Sequence, residues 1–205
     1  MNAYDVKLEI SGPSAMWTRP DTGSSPVSYV VPTFSAVKGI FESILRWKSV
    51  NIHPTKVEIC APIQFHNYAT NYGGPLRASD AITNGVAFQF HAVILVNVCY
   101  RVYAYAEFAN HHKSTTCPPH AYQERFNKKL ERGQWFHLPC LGWKEFVPTY
   151  VGNFRPETRV CETENHDLPS MLKMVFNQTG YVQPYFYNKL NQPKLCVEKG
   201  VFTYA

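Results

Sequence analysis

Pro32-Thr-Phe-Ser-Ala-Val-Lys-Gly-Ile-Phe-Glu-Ser-Ile-Leu-Arg-Trp47 sets the architecture of this chain. Val37, Ile40, Phe41, Ile44 and Leu45 recur at helical spacing, and Pro32 and Thr33 are residues that open a helix. On its N-terminal side, Val6-Lys-Leu-Glu-Ile10 alternates apolar and charged residues as a half-buried strand does, and Asp21–Pro26 is turn-rich. On its C-terminal side, Thr55–Ile63 alternates again. The segment from Phe65 to Ala87 contains Gly73-Gly74-Pro75 and Asn84-Gly85 with few apolar residues, which predicts an excursion from the core as a flexible loop or hairpin. Phe88–Phe108 is dense in Val, Tyr and Phe and predicts a long central strand. Asn110–Pro119 reads as a polar loop, and His120–Arg132 as a short amphipathic helix stopped by Gly133. Strand-like pieces follow at Leu141–Tyr150, Ser170–Phe176 and Gly200–Tyr204. The resulting order is βαββαβ, an α+β fold of the ferredoxin-like/RRM type. It is expected to form one domain over residues 1–205, with 65–87 inserted and about 150–205 as a C-terminal β elaboration.

Composition narrows the class. With 45% apolar and 17% charged residues the chain belongs with globular proteins and not with disordered ones. No apolar run nears the ~18 residues of a membrane span, since the longest, Ala92–Val98, is interrupted by Asn97. Met1-Asn-Ala-Tyr-Asp-Val-Lys7 lacks the basic-then-apolar layout of a secretory signal, so a cytoplasmic protein is expected. The six cysteines form no C-x-x-C pair, which predicts small buried hydrophobes and not a zinc ribbon or disulfide framework. His111, His112, Cys117 and His120 lack metal-ligand spacing, and neither metal nor cofactor is expected. An excess of 20 Lys+Arg over 15 Asp+Glu is compatible with nucleic acid, but its distribution matters more than its size.

That distribution is uneven. Arg125, Lys128, Lys129 and Arg132 crowd the second helix, and Gly133-Gln-Trp-Phe-His137 follows at once. Cations for phosphate beside flat rings for base stacking are what a single-stranded nucleic acid requires. The plainer reading is a solvated helix face next to two core aromatics. Arg46-Trp47-Lys48, at the end of the first helix, repeats the pairing on a smaller scale.

Several segments together resemble the fifth family of CRISPR-associated proteins, in particular its type I-C branch in the RAMP superfamily. Trp17-Thr-Arg-Pro20 is similar to that family's aromatic-Thr-Arg-Pro turn. Val27-Ser-Tyr-Val-Val-Pro-Thr-Phe-Ser-Ala-Val-Lys-Gly-Ile-Phe-Glu-Ser-Ile44 resembles its first long motif. Phe126-Asn-Lys-Lys-Leu-Glu-Arg-Gly-Gln-Trp-Phe-His-Leu-Pro-Cys-Leu-Gly-Trp-Lys-Glu-Phe146 resembles its second. Met171–Phe176 and Lys199-Gly-Val201 follow its C-terminal strands. The resemblance implies a RAMP fold that grips the 5′ handle of a crRNA inside a type I Cascade complex. Partners would be the backbone subunit and the large subunit, with target DNA reached through the assembly. Phe65–Ala87 would be the hairpin thumb. The RNA-facing residues would be Arg19, Lys38, Arg46, Trp47, Lys48, Arg125, Lys128, Lys129, Arg132 and Trp135. Lys38 reads equally as a solvated helix residue, and Trp47 and Trp135 as core.

The type I-C branch commonly cleaves its repeat RNA without metal, the ribose 2′-hydroxyl attacking the adjacent phosphate. That reaction needs a base, a cation for the phosphorane charge and an acid for the leaving oxygen. The resemblance places the first-helix catalytic Tyr or His on Leu45 or Arg46. The Lys-His pair of the second helix falls on Ala121 and Tyr122. The sequence therefore departs from the pattern at each point, and two readings stay open. In one, the chain binds RNA without cutting it. In the other, a rearranged site uses Tyr122 or His120, with His112 or Lys113 supplying charge.

Overall fold

Thr33 starts helix α1 (Phe34–Ile44) by turning its hydroxyl back on the chain, where it accepts the Ala36 N–H at 3.2 Å. In the computed structural model, which describes residues 4–71, 79, 83, 89–109, 118–176, 181–188 and 195–204, Phe34, Val37, Ile40, Phe41 and Ile44 form its buried stripe. Helix α2 (Pro119–Glu131) buries Pro119, Tyr122, Phe126 and Leu130, residues spaced three or four apart, and Phe126 meets Phe41 with ring centroids 5.5 Å apart. Both helices lie against one antiparallel sheet.

The sheet is built on β4 (Gln89–Phe108), which pairs with β1 (Asp5–Ala15) on one side and β2 (Val50–Ile59) on the other. Beyond β1 lies the short β5 (Tyr150–Gly152), and beyond β2 lies β10 (Val201–Thr203). Without β10, the strand order is that of a ferredoxin-like βαββαβ unit, as expected. Strand β3 (Gln64–Asn71) pairs with the first half of β4, from Gln64↔Val96 to Asn71↔Gln89. Asn97 sits in the left-handed region at φ 54°, beside the point where that ladder stops. Asn tolerates this conformation because its short polar side chain bonds locally. Most of the expected excursion, 72–78, 80–82 and 84–87, lies outside the described residues. Four short strands complete the chain: β6 (His166–Asp167) pairs with β9 (Cys196–Val197), and β7 (Ser170–Phe176) with β8 (Val182–Asn188).

Three expectations need correction. The strand expected over Leu141–Tyr150 is absent, and β5 begins only at its last residue. Gly142 has φ 93°, and a Cβ there would fall 1.8 Å from the Met16 carbonyl oxygen, so the backbone turns at Gly142 against Met16 and does not continue as an extended strand. The second strand spans Val50–Ile59 and not Thr55–Ile63, because its register shifts between Pro54 and Lys56. A bulge slips the alternation by one residue, and Pro54, which lacks an N–H, hides the strand's first half. Finally, the described cysteines (Cys60, Cys99, Cys140, Cys161 and Cys196) are half-buried free thiols and not fully buried hydrophobes.

Candidate nucleic-acid interface

Helix α2 carries the expected cations on its solvent side. Arg125, Lys128 and Arg132 are exposed and Lys129 is half-buried, on the face opposite Tyr122, Phe126 and Leu130. Lys128 donates to Glu124 at 2.5 Å one turn earlier. Lys128 and Lys129 also occupy the last turn, where cations favour the negative end of the helix dipole. Gly133 then reverses the chain at φ 61°.

This reversal locks the two long motifs together. The Phe136 N–H donates to the Ser43 and Ile44 carbonyls at 2.9 and 3.2 Å, and the His137 N–H donates to Ser43 at 2.8 Å. From α2, the Tyr122 hydroxyl donates to the Leu45 carbonyl at 2.7 Å. The last carbonyls of α1, which have no partner within the helix, are thus capped from α2 and the loop after it. Trp135 is half-buried against the core, so the exposed ring is its neighbour Phe136, which is 54% exposed and has its ring centroid 4.3 Å from that of His137. The core reading given for Trp135 in the sequence therefore describes its burial. The exposure of Phe136 follows from its backbone bonds to α1.

The end of α1 adds Arg46 and Lys48, both exposed, on either side of Trp47. Trp47 is half-buried and meets Tyr122 edge-on at 5.6 Å. His120 is exposed, with its ring 6.2 Å from that of Tyr4. The positions assigned by resemblance to catalysis, Leu45/Arg46 and Ala121/Tyr122, therefore do converge. Tyr122 is buried at this junction. Burial pushes its phenol far above the ordinary value, the negative charge of Glu42 adds to the effect, and the hydroxyl is already spent on Leu45. His112 and Lys113 lie outside the described residues.

Arg19 and Lys38 stand apart from this ridge. The Arg19 guanidinium forks onto Asp21 at 3.1 and 2.7 Å, which raises its pKa, and it lies 5.7 Å from the Tyr29 ring centre. Lys38 donates to Asn51 Oδ1 at 2.6 Å and lies 3.8 Å from Glu42. Among the described residues no three His, Cys, Asp or Glu are grouped to hold a metal ion, and no helix is long and apolar enough to cross a membrane.

One charged group escaped sequence reasoning. Glu9 belongs to the alternating run that reads as half solvent-facing, yet it is fully buried. The segment after β5 covers it. Arg155 donates to it at 2.6 Å through Nε and 3.1 Å through its backbone N–H, Thr158 at 2.9 Å and Arg101 at 3.3 Å. Phe154 lies over Tyr103, with ring centroids 5.3 Å apart. Part of the sheet face that an RRM would offer to RNA is therefore occupied by the chain itself.

A four-stranded antiparallel core in this order, with two helices on one face and a hairpin rising from its central strand, defines a RAMP-like protein. A solved structure described as a CRISPR-associated protein shares the fold, with a TM-score of 0.71 over 98% of this chain and 91% of its own at 21% identity. The family described as CRISPR-associated protein (Cas_Cas5) matches residues 5–194, and the chain belongs to that family. Two relatives bear the name CRISPR pre-crRNA endoribonuclease Cas5d. One, from Mannheimia succiniciproducens, is 27% identical over 92% of each chain. The other, from Thermus thermophilus, is 30% identical over 71% of this chain and 62% of its own.

Proposed function

We propose that this chain is the subunit of a type I Cascade complex that binds the 5′ handle of the crRNA. The observation that carries the reading is the cationic ridge of Arg125, Lys128, Lys129 and Arg132, fixed rigidly beside Arg46 and Lys48 by the capping of α1. Family membership supports it. Cations on fixed elements hold a phosphate backbone, and exposed Phe136 beside His137 adds a ring for stacking. The β3/β4 hairpin is the base of the thumb directed at a neighbouring backbone subunit, with the large subunit and target DNA engaged through the assembly.

The name of the two relatives favours a second reading, in which the chain also cuts the repeat RNA. The residues at the mouth of that site are His120, Arg46 and Lys48, with Tyr122 confined to a structural role. One assay separates the readings: the purified chain is incubated with repeat RNA in EDTA. Intact RNA retained in complex supports binding alone. A single cut ending in a 2′,3′-cyclic phosphate establishes the endoribonuclease. Failure to retain repeat RNA at low salt overturns both.

A further inference from the structure

Strand β10 covers only part of β2. Its ladder ends at Thr203↔Lys56, extended by the Tyr204 N–H to the Thr55 carbonyl at 2.8 Å. Beyond that point the edge of β2 from Asn51 to Thr55 lines a cleft of about 560 Å³, whose other walls are the start of α1 and the end of β7. Cavities of this size accommodate a nucleotide-sized ligand. Its lining combines two kinds of group. Lys38 and Lys173 bring ammonium groups to it, and Phe34, His53, Tyr105 and Phe176 bring rings.

The groups are arranged, not scattered. Asn51 links the Lys38 amine at 2.6 Å to His53 Nε2 at 2.8 Å. The His53 ring stacks on Tyr105 with centroids 5.1 Å apart and planes 12° from parallel. Lys173 places its amine 5.3 Å from the Phe34 ring centre and 4.8 Å from that of Tyr187. Phe176, 59% exposed, forms an outer lip. Two carboxylates border the cleft, Glu42 at 3.8 Å from Lys38 and Glu107 at 2.6 Å from His53. They hold those two side chains and do not themselves line it. Partial burial lowers the pKa of Lys173.

The geometry points to a second RNA subsite here, which takes one unpaired nucleotide with its phosphate at Lys38 and Lys173 and its base against the His53–Tyr105 pair. The cleft is lined by residues of α1, β2, β7 and the end of β4 and by none of α2, so the subsite is distinct from the α2 ridge. An RNA using both follows a path around the α1 side of the molecule. This inference rests on the proposal that the chain binds RNA, which it deepens.

The test uses repeat RNA with 4-thiouridine placed at successive positions. It is crosslinked to the wild-type chain and mapped by mass spectrometry, alongside anisotropy titrations of Lys173→Gln, Tyr105→Leu and Arg132→Gln. Expected are crosslinks to Tyr105, His53 or Phe176 from one RNA position. Loss of affinity should reach about fivefold or more for each cleft variant, the lower bound for a lost stacking or phosphate contact. Crosslinks confined to α2, with affinity reduced by Arg132→Gln but unchanged by both cleft substitutions, would overturn the subsite and leave RNA binding standing. Absence of any RNA binding would overturn both. Crosslinking on the wild-type chain decides the matter even where a cleft variant misfolds, and a peptide strand bound along β2 with no RNA crosslink there would also sink the proposal.

Discussion

Glu9 is the residue whose environment is most specific. Burial alone would push its carboxyl up, but the hydrogen bonds from Arg155, Thr158 and Arg101 outweigh that and hold it below its ordinary value of 4.5. A carboxylate depressed in the folded state contributes stability that is fully present above the unfolded value. That contribution is lost as pH falls from about 4.5 through the folded value. Glu9→Gln should therefore lower stability by about 2–4 kcal/mol at neutral pH, since it leaves two arginines without their charge partner. It should also flatten this part of the acid dependence, as urea melts at pH 7 and pH 4 will show. Parallel loss in wild type and variant would assign the acid sensitivity to other groups. Tyr122→Phe isolates a second buried polar contact. It leaves the Leu45 carbonyl uncapped and should cost about 1–2 kcal/mol in melting experiments. Repeat-RNA affinity, and any cleavage the EDTA assay detects, should be unchanged.

Helix α2 makes its prediction as an element. If its solvent face tracks phosphates, each neutralised cation should reduce the log–log salt slope of repeat-RNA binding by ~0.7 as well as weaken affinity. Arg125→Gln and Arg132→Gln should both do so, and their effects on the slope should add. A slope that stays fixed in both variants would mean that these side chains do not neutralise phosphates. This ridge was legible from sequence because a helix that buries Tyr122, Phe126 and Leu130 has only one direction left for Arg125, Lys128 and Arg132. Helix α1 and strand β4 were legible for similar reasons, through a strong 3.6-residue stripe and a long β-branched, aromatic run. What stayed hidden depended on contacts between distant segments. Glu9 looked half-exposed because its cover, Arg155, lies 146 residues away. The apolar residues of 141–150 looked like a strand because local pattern does not show that Gly142 must pack against Met16. The cleft beside β2 requires the β2/β4 register that sets His53 opposite Tyr105, and the bulge after Pro54 obscures that register.

At the scale of the whole molecule, the sheet is closed by its last strand. Strand β10 adds to an edge formed more than 140 residues earlier, pairing Val201–Thr203 with Glu58–Lys56. Phe202 is fully buried, with its ring centroid 5.0 Å from that of Tyr204. The Tyr204 hydroxyl in turn donates to the Pro32 carbonyl, immediately before the cap of α1. One short strand thus ties together the sheet edge, the entry to the first helix and the rim of the cleft. Phe202→Ala should therefore cost about 3–5 kcal/mol, as large-to-small changes do in a well-packed core. Its effects should also spread beyond the site. Amide exchange should accelerate along β2 and at the start of α1, while α2 and β5, neither of which pairs with β10 or β2, keep their protection relative to one another. RNA affinity gives an independent reading of the same coupling. A chain that uses only the α2 ridge should bind normally once folded, however weakened β10 is. A chain that also uses the cleft should lose affinity in proportion to the fraying of β2. Comparing Phe202→Ala with a substitution of equal cost in the α2 core, Leu130→Ala, decides between these outcomes, because both lower global stability and only the first loosens the wall of the cleft.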